Sequence, residues 1–127
     1  DSHLELPRVS ASLGDLKEID FAVFKNFAEQ KFAMTAHILY DAIDSENCAT
    51  NSAKMIDIIR SEIGFKNILM TDDLSMKALK GSFEDWTRNA INAGCDLILH
   101  CNGDMTEMRQ INSGLDLMGD KLLEKSN

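Results

Sequence analysis

The sequence predicts an α/β fold built on parallel strands, and three observations carry that prediction. Three short runs are continuously apolar, "FAMTAHILY" (32–40), "NILMTDD" (67–73) and "CDLILHCN" (95–102), as a strand covered on both faces is. The segments around and between them have helical periodicity. The strand starts, near residues 32, 67 and 96, are spaced by about 30 residues, the length of a strand–helix–strand crossover with its right-handed connection.

In chain order, Pro7 with polar neighbours marks a loop, and "LGDLKEIDFAVFKNFAEQ" then places Leu13, Leu16, Ile19, Phe24 and Phe27 along a helix. The first strand follows. "SAKMIDIIRSEIGF" sets Met55, Ile56, Ile59 and Ile63 at helical spacing after a cap at Asn51 or Ser52, with Gly64 as the stop, because a glycine accepts the left-handed backbone that closes a helix. After the second strand, "SFEDWTRNAINAGC" repeats the design, with Ser82 as cap, Phe83, Trp86, Ala90 and Ile91 on one face and Gly94 as stop. The third strand leads to a last helix in "MTEMRQINSGLDLM", with Met105, Met108, Ile111 and Leu115 on its apolar side.

Composition narrows the partners. A chain of 127 residues, 44% hydrophobic and 27% charged, has the length and composition of one globular domain. Its net charge of -8, with Lys and Arg scattered singly from Arg8 to Lys125, disfavours nucleic acid or an anionic membrane surface, either of which calls for a concentrated basic patch. No apolar run approaches the roughly 18 residues of a membrane-spanning helix. Three cysteines, Cys48, Cys95 and Cys101, form an odd set without a C-x-x-C pair, which argues for free thiols in the cytoplasm and against structural zinc. Because the chain opens at Asp1 rather than Met, a signal peptide cannot be judged.

Polar residues collect where the strands end: Thr35 to His37, Thr71 to Asp73, His100 to Asn102. In parallel α/β sheets that carboxyl-terminal edge is the ligand-binding face. Asp72 and Asp73 are adjacent, so along a continuing strand they point to opposite sides; one can face a substrate as nucleophile or base while Asp73 is placed to cap the turn at "LSMKAL". At the other end of the chain, "DSHLELP" sets Asp1 two residues from His3, close enough for a carboxylate to orient an imidazole acting as general acid and base. His37 reads as a site wall, a ligand or a histidine satisfied by a backbone carbonyl.

Together, "DSHLELP", "MTAHILYDAID", "ATNSAKMIDIIRSEIGF", "ILMTDDLSMKAL" and "NAGCDLILHCNG" resemble the second half of the catalytic barrel of family 3 glycoside hydrolases, in particular the bacterial β-N-acetylhexosaminidases of peptidoglycan recycling. The resemblance runs in the family's order up to about Gly103; residues 104–127 add only an amphipathic helix. It implies an α/β fold that is a partial TIM (β/α)8 barrel, the last three βα units with a preceding loop and helix. It also implies residue roles: Asp72, directly after Thr71 at the end of the seventh barrel strand, as nucleophile; His3 as acid/base; Asp1 as its carboxylate partner. The implied reaction is removal of terminal GlcNAc from peptidoglycan-derived muropeptides, with retention through a covalent glycosyl-Asp72 intermediate, in the cytoplasm, without metal or organic cofactor, by an enzyme that is monomeric at full length.

Two departures bear on this expectation. Asn67 stands where the family usually has glycine, and Asn tolerates left-handed backbone. The first five strands, with a Lys-His pair and the arginine and aspartate that hold the terminal sugar in the family, are missing, and three strands cannot close an eight-stranded barrel. Residues 1–127 are therefore expected to be a C-terminal fragment of the catalytic barrel, inactive alone. The rival readings are a family 3 β-glucosidase, a non-catalytic α/β sugar-binding fragment, and a metallohydrolase using His3, His37, Asp72 and His100; the last lacks an i, i+4 His pair or any local ligand cluster.

Overall fold

The computed structural model describes residues 6–76 and 79–115. Its centre is a parallel three-stranded sheet in the order β2 (Phe32–Met34), β4 (Ile68–Asp73), β5 (Leu97–Leu99). Phe32 pairs with Ile68 and Met34 with Met70, while Met70 pairs with Leu97 and Asp73 with Leu99. Each crossover carries a helix: α3 (Ala53–Ile58), prolonged by a π-helical turn (Ile59–Ile63), between β2 and β4, and α4 (Phe83–Ala93) between β4 and β5. Helix α5 (Met105–Ser113) follows β5. This is the predicted alternation of helices and parallel strands.

The helix boundaries fall where local chemistry placed them. Ser52, rather than Asn51, is the cap of α3, its hydroxyl accepting from Met55 N–H at 3.2 Å, and Ser82 caps α4 by accepting from Asp85 N–H at 3.1 Å. Both serines satisfy amide donors that a helix start leaves open. Gly64 and Gly94 close these segments at φ 89° and 117°. At Gly94 a Cβ would also meet Ile56 Cγ2 at 3.0 Å, so the stop and the packing of α4 on α3 share one requirement.

The first predicted strand is not continuous. It breaks after Met34, and Leu39–Tyr40 (β3) leaves the sheet to pair in parallel with Arg8–Val9 (β1), a strand the sequence pattern does not signal. The break has a cause: Thr35 N–H still donates to Met70 O at 2.9 Å, but the Thr35 and His37 side chains turn to Thr50, and Ile38 O accepts from Ala49 N–H at 2.8 Å. The third strand is likewise cut to three residues. Asp96 just before it is engaged by Arg60, whose guanidinium donates to Asp96 Oδ2 and Asn67 O, each at 2.7 Å, and to Phe65 O and Gly94 O, each at 3.3 Å.

The core forms two clusters, one where the helical region of residues 13–25 meets α3 and one where α3 and α4 meet β4. Leu16, Phe21, Ala49, Met55 and Ile58 make one; Ile56, Phe65, Leu69, Ala90 and Cys95 make the other. The helical region of residues 13–25, α1 (Leu13–Asp15) and α2 (Phe21–Lys25) joined by a π-helical turn (Leu16–Asp20), buries only Leu16 and Phe21. Ile19, Phe24 and Phe27 of the expected stripe are more than half exposed, as are Phe32 and Met34 on β2. All of these but Ile19 line a cavity of about 390 Å³, together with Phe21 and Phe65 among others. The pattern predicted burial; among the described residues, however, β2 is an outer strand of its sheet and nothing covers this face. On α5, Ile111 is buried while Met105 and Met108 are exposed. No helix among the described residues is long and apolar enough to cross a membrane.

Candidate active site

The carboxyl-terminal end of β4 is braced from both sides by threonine hydroxyls. Thr71, fully buried, accepts from Leu99 N–H at 2.9 Å, a side-chain bond that takes over where the β4–β5 register shifts between Met70 and Asp73. On the other flank, Thr35 Oγ1 accepts from Asp72 N–H at 3.3 Å. The strand can therefore stop hydrogen-bonding as regular sheet at this edge without leaving its amides unpaired.

The two aspartates divide their work. Asp73 Oδ1 accepts from Ser75 N–H at 2.9 Å and from Cys101 N–H at 3.0 Å, and its Oδ2 accepts from Ser75 Oγ–H at 2.7 Å. That side chain ties the loop after β4 to the loop after β5, which is the turn-capping part its position predicts. Burial alone would raise the Asp73 carboxyl, but the bonds from Ser75 and Cys101, with His100 nearby, outweigh it and hold the group below the ordinary carboxylate range. Asp72 is half-buried, and its carboxylate accepts from Asp73 N–H through Oδ1 at 2.9 Å. Asp72 Oδ2 has no protein donor among the described residues.

His37 is fully buried behind this edge. Its Nε2 lies 3.0 Å from Asp73 O and its Nδ1 2.8 Å from Thr50 Oγ1, which in turn is 2.9 Å from Thr35 Oγ1. A carbonyl only accepts, so Nε2 carries the hydrogen and Nδ1 is the acceptor. Of the three readings open from sequence, His37 is the satisfied histidine; with both nitrogens engaged, it has no lone pair free for a metal. Thr50, in the segment "CATNS", carries no sequence signal of its part here, because its partner lies 13 residues away.

Burial lowers the His37 pKa from its ordinary 6.5, more than the Asp73 carbonyl and the charges of Asp72 and Asp73 raise it. Unfolding returns the ring to its ordinary value. Below pH 6.5 the unfolded chain then binds more protons than the folded one, so stability present above that pH is lost as the pH falls toward the folded-state value. A second loss follows below the ordinary carboxyl value of 3.8, as Asp73 and Asp44, both held low in the fold, take up protons. Urea titrations between pH 4 and 8 are expected to show the first loss in the native sequence and not in His37→Gln; identical pH profiles for the two would contradict it.

The end of β5 contributes a third cluster. His100 Nε2–H donates to Glu107 Oε2 at 2.7 Å, Asn102 Nδ2 donates to the same oxygen at 2.7 Å, and the His100 ring stands edge-on to Phe83 with centroids 5.8 Å apart. His100 Nδ1 is buried without a partner among the described residues. Glu107 is a second residue that sequence reading missed; it comes from α5, whose pattern shows only an apolar face. The structure thus gathers Asp72, Asp73, His37 and His100 at one edge. Asp1 and His3 lie outside the described residues. Cys48 and Cys95 are buried and Cys101 is exposed, all as free thiols.

The chain has relatives in sequence and in fold. The family described as "Glycosyl hydrolase family 3 N terminal domain" matches residues 1–121. A protein named beta-hexosaminidase from Neisseria meningitidis serogroup C is 35% identical over 106 residues, covering 80% of this chain and 29% of its own length. One of the same name from Alkalilimnicola ehrlichii is 36% identical over 106 residues, covering 80% of this chain and 30% of its own length. The chain spans less than a third of these curated relatives. Among solved structures, native NagZ from Neisseria gonorrhoeae superposes with a TM-score of 0.80 at 30% identity over 98% of this chain and 36% of its own. A glycoside hydrolase family 3 beta-N-acetylglucosaminidase from Paenibacillus sp. gives 0.77 at 30% identity over 98% of this chain and 23% of its own. A fold of parallel strands and covering helices, an aspartate presented at the end of its central strand, and a family match over nearly the whole length place this chain in glycosyl hydrolase family 3, within that family's N-terminal domain.

Proposed function

We propose that this segment is the closing part of a (β/α)8 barrel in a retaining exo-β-N-acetylglucosaminidase that removes terminal GlcNAc from peptidoglycan-derived muropeptides. The observation that carries the reading is the difference between the two aspartates: Asp73 is spent on three hydrogen bonds, whereas Asp72 keeps one carboxylate oxygen without a protein donor among the described residues. Likeness to relatives named beta-hexosaminidase supports the substrate class. The exposed apolar face beside β2 supports a barrel whose other strands pair there.

In this reading Asp72 attacks the anomeric carbon as the bond to the leaving oxygen breaks, and His3 gives that oxygen its proton, with Asp1 stabilising the imidazolium. His3 then takes a proton from water, whose oxygen displaces Asp72 and restores the β-configuration. An imidazole, with an ordinary pKa of about 6.5, suits both steps near neutral pH. No metal or organic cofactor enters. The working protein is a cytoplasmic monomer, and the 127-residue chain alone, with the outer edges of β2 and β5 open among the described residues, is inactive.

Aryl β-N-acetylglucosaminides and aryl β-glucosides test the substrate, with the complete-barrel protein as enzyme. The expected preference for the N-acetyl sugar in kcat/KM is on the order of 100-fold or more, and the first-formed sugar is the β-anomer by proton NMR. Equal or faster turnover of the glucoside would move the assignment to a β-glucosidase, and an α-anomer would end the covalent mechanism.

A further inference from the structure

Beside the proposed nucleophile sits a fully buried imidazole that the reaction just described leaves idle. We propose that His37 is a positioning residue, which holds the backbone on both sides of the Asp72 side chain through a hydrogen-bond chain running across Thr50 and Thr35. The inference rests on Asp72 being the nucleophile and adds what aims it.

The chain has one consistent direction. Asp73 O accepts from His37 Nε2–H at 3.0 Å, so His37 Nδ1 accepts, and the partner 2.8 Å away, the Thr50 hydroxyl, donates. Ala36 O, at 3.3 Å, is the longer alternative for that hydrogen. Thr50 Oγ1 then accepts from the Thr35 hydroxyl at 2.9 Å, and Thr35 Oγ1 accepts from Asp72 N–H at 3.3 Å. The two backbone groups at its ends are the amide of Asp72 and the carbonyl of the residue after it. Thr35 and His37 follow β2, Thr50 lies in the loop leading to α3, and all three are buried. Their bonds therefore form in a low dielectric without competing water. Because Asp72 Oδ1 accepts from Asp73 N–H at 2.9 Å, a shift of the 72–73 peptide turns the carboxylate with it.

Two substitutions in the complete-barrel protein separate positioning from packing. In His37→Gln the side-chain amide reaches the place of Nε2 and keeps a donor for Asp73 O while losing Thr50. In His37→Asn the amide reaches the place of Nδ1 and keeps Thr50 while losing Asp73 O. Each removes one buried hydrogen bond, so a purely structural role moves both alike. Positioning predicts that His37→Asn lowers kcat by about 100-fold, the loss a misplacement near 1 Å brings, with KM within a few-fold of the native value. His37→Gln is expected to recover most of that kcat. Amide hydrogen exchange in the peptide spanning residues 70–76 is expected to speed up in His37→Asn and not in His37→Gln.

Equal kcat and equal exchange in the two variants would overturn the proposal. If His37→Asn does not fold, Thr50→Ser against Thr50→Val tests the chain from its middle: valine releases Thr35, which accepts from Asp72 N–H, as well as His37, so the hydroxyl-bearing variant is expected to keep kcat and equal values count against positioning. An Asp72→Ala protein assayed in parallel keeps the two readings apart. Its full activity would remove Asp72 as nucleophile, and the exchange comparison then still decides whether His37 holds the loop.

Discussion

Asp72→Ala in the complete-barrel protein is expected to lower kcat on an aryl β-N-acetylglucosaminide by about 10⁵-fold, the scale seen when a nucleophile is removed from a covalent mechanism. The variant should fold, because the Asp72 amide, not its side chain, makes the bond to Thr35. The truncated side chain leaves room for a small anion, so azide is expected to restore part of the rate and yield the α-glycosyl azide by a single displacement. Asp73→Asn is the control that the geometry supplies. Its carboxylate ties two loops together through Ser75 and Cys101, so its loss should appear as a stability deficit of about 1–3 kcal/mol with a much smaller effect on kcat. Wild-type turnover by Asp72→Ala, or the larger kcat loss in Asp73→Asn, would reverse the division of labour between the two.

The second large effect lies at the opposite end of the strands. Arg60→Ala is expected to destabilise the protein by about 3 kcal/mol, read as a shift in urea midpoint at constant slope, because it takes away the counter-charge of a largely buried carboxylate and the donor of three backbone carbonyls. The guanidinium serves Asp96 Oδ2 and the carbonyls of Phe65, Asn67 and Gly94, and lies over the Phe65 ring at 5.7 Å from its centroid. Asp96 Oδ2 also accepts from Leu69 N–H at 2.9 Å, so β4, β5 and the π-helical turn after α3 meet at one ion pair. Arg60→Lys should recover only part of the loss, since one ammonium cannot span the four acceptors of a planar fork. Activity per folded molecule should stay near the native level, because Arg60 joins residues that lead into β4 and β5, whereas Asp72 is at the far end of β4. A ΔΔG below about 1 kcal/mol would mean that the cluster behaves as an ordinary surface pair.

Much of this architecture is legible because its causes are local. Ser52, Ser82, Gly64 and Gly94 end helices through bonds and dihedrals within a few residues, and an apolar run such as that leading into Thr71 marks a buried strand whatever its neighbours are. What escaped the sequence depends on partners far along the chain. "FAMTAHILY" reads as one strand, yet it breaks after Met34, where the Thr35 and His37 side chains bond Thr50 and Ile38 O takes up Ala49 N–H. Ile19, Phe24 and Phe27 have the spacing of buried residues and lie exposed, because periodicity reports a face meant for burial and not whether its partner is present.

The carboxylate pair shows the same division. Adjacent residues on a strand face opposite ways, so the sequence by itself determined that Asp72 and Asp73 sit at the carboxyl-terminal edge of a parallel sheet and cannot play the same part. Only the tertiary structure decided that Asp73 is consumed by Ser75 and Cys101 and that His37, Thr50 and Thr35 grip the backbone around Asp72. The reason is physical: alternation along a strand is a property of one backbone, whereas hydrogen-bond satisfaction is settled by residues that only folding brings together.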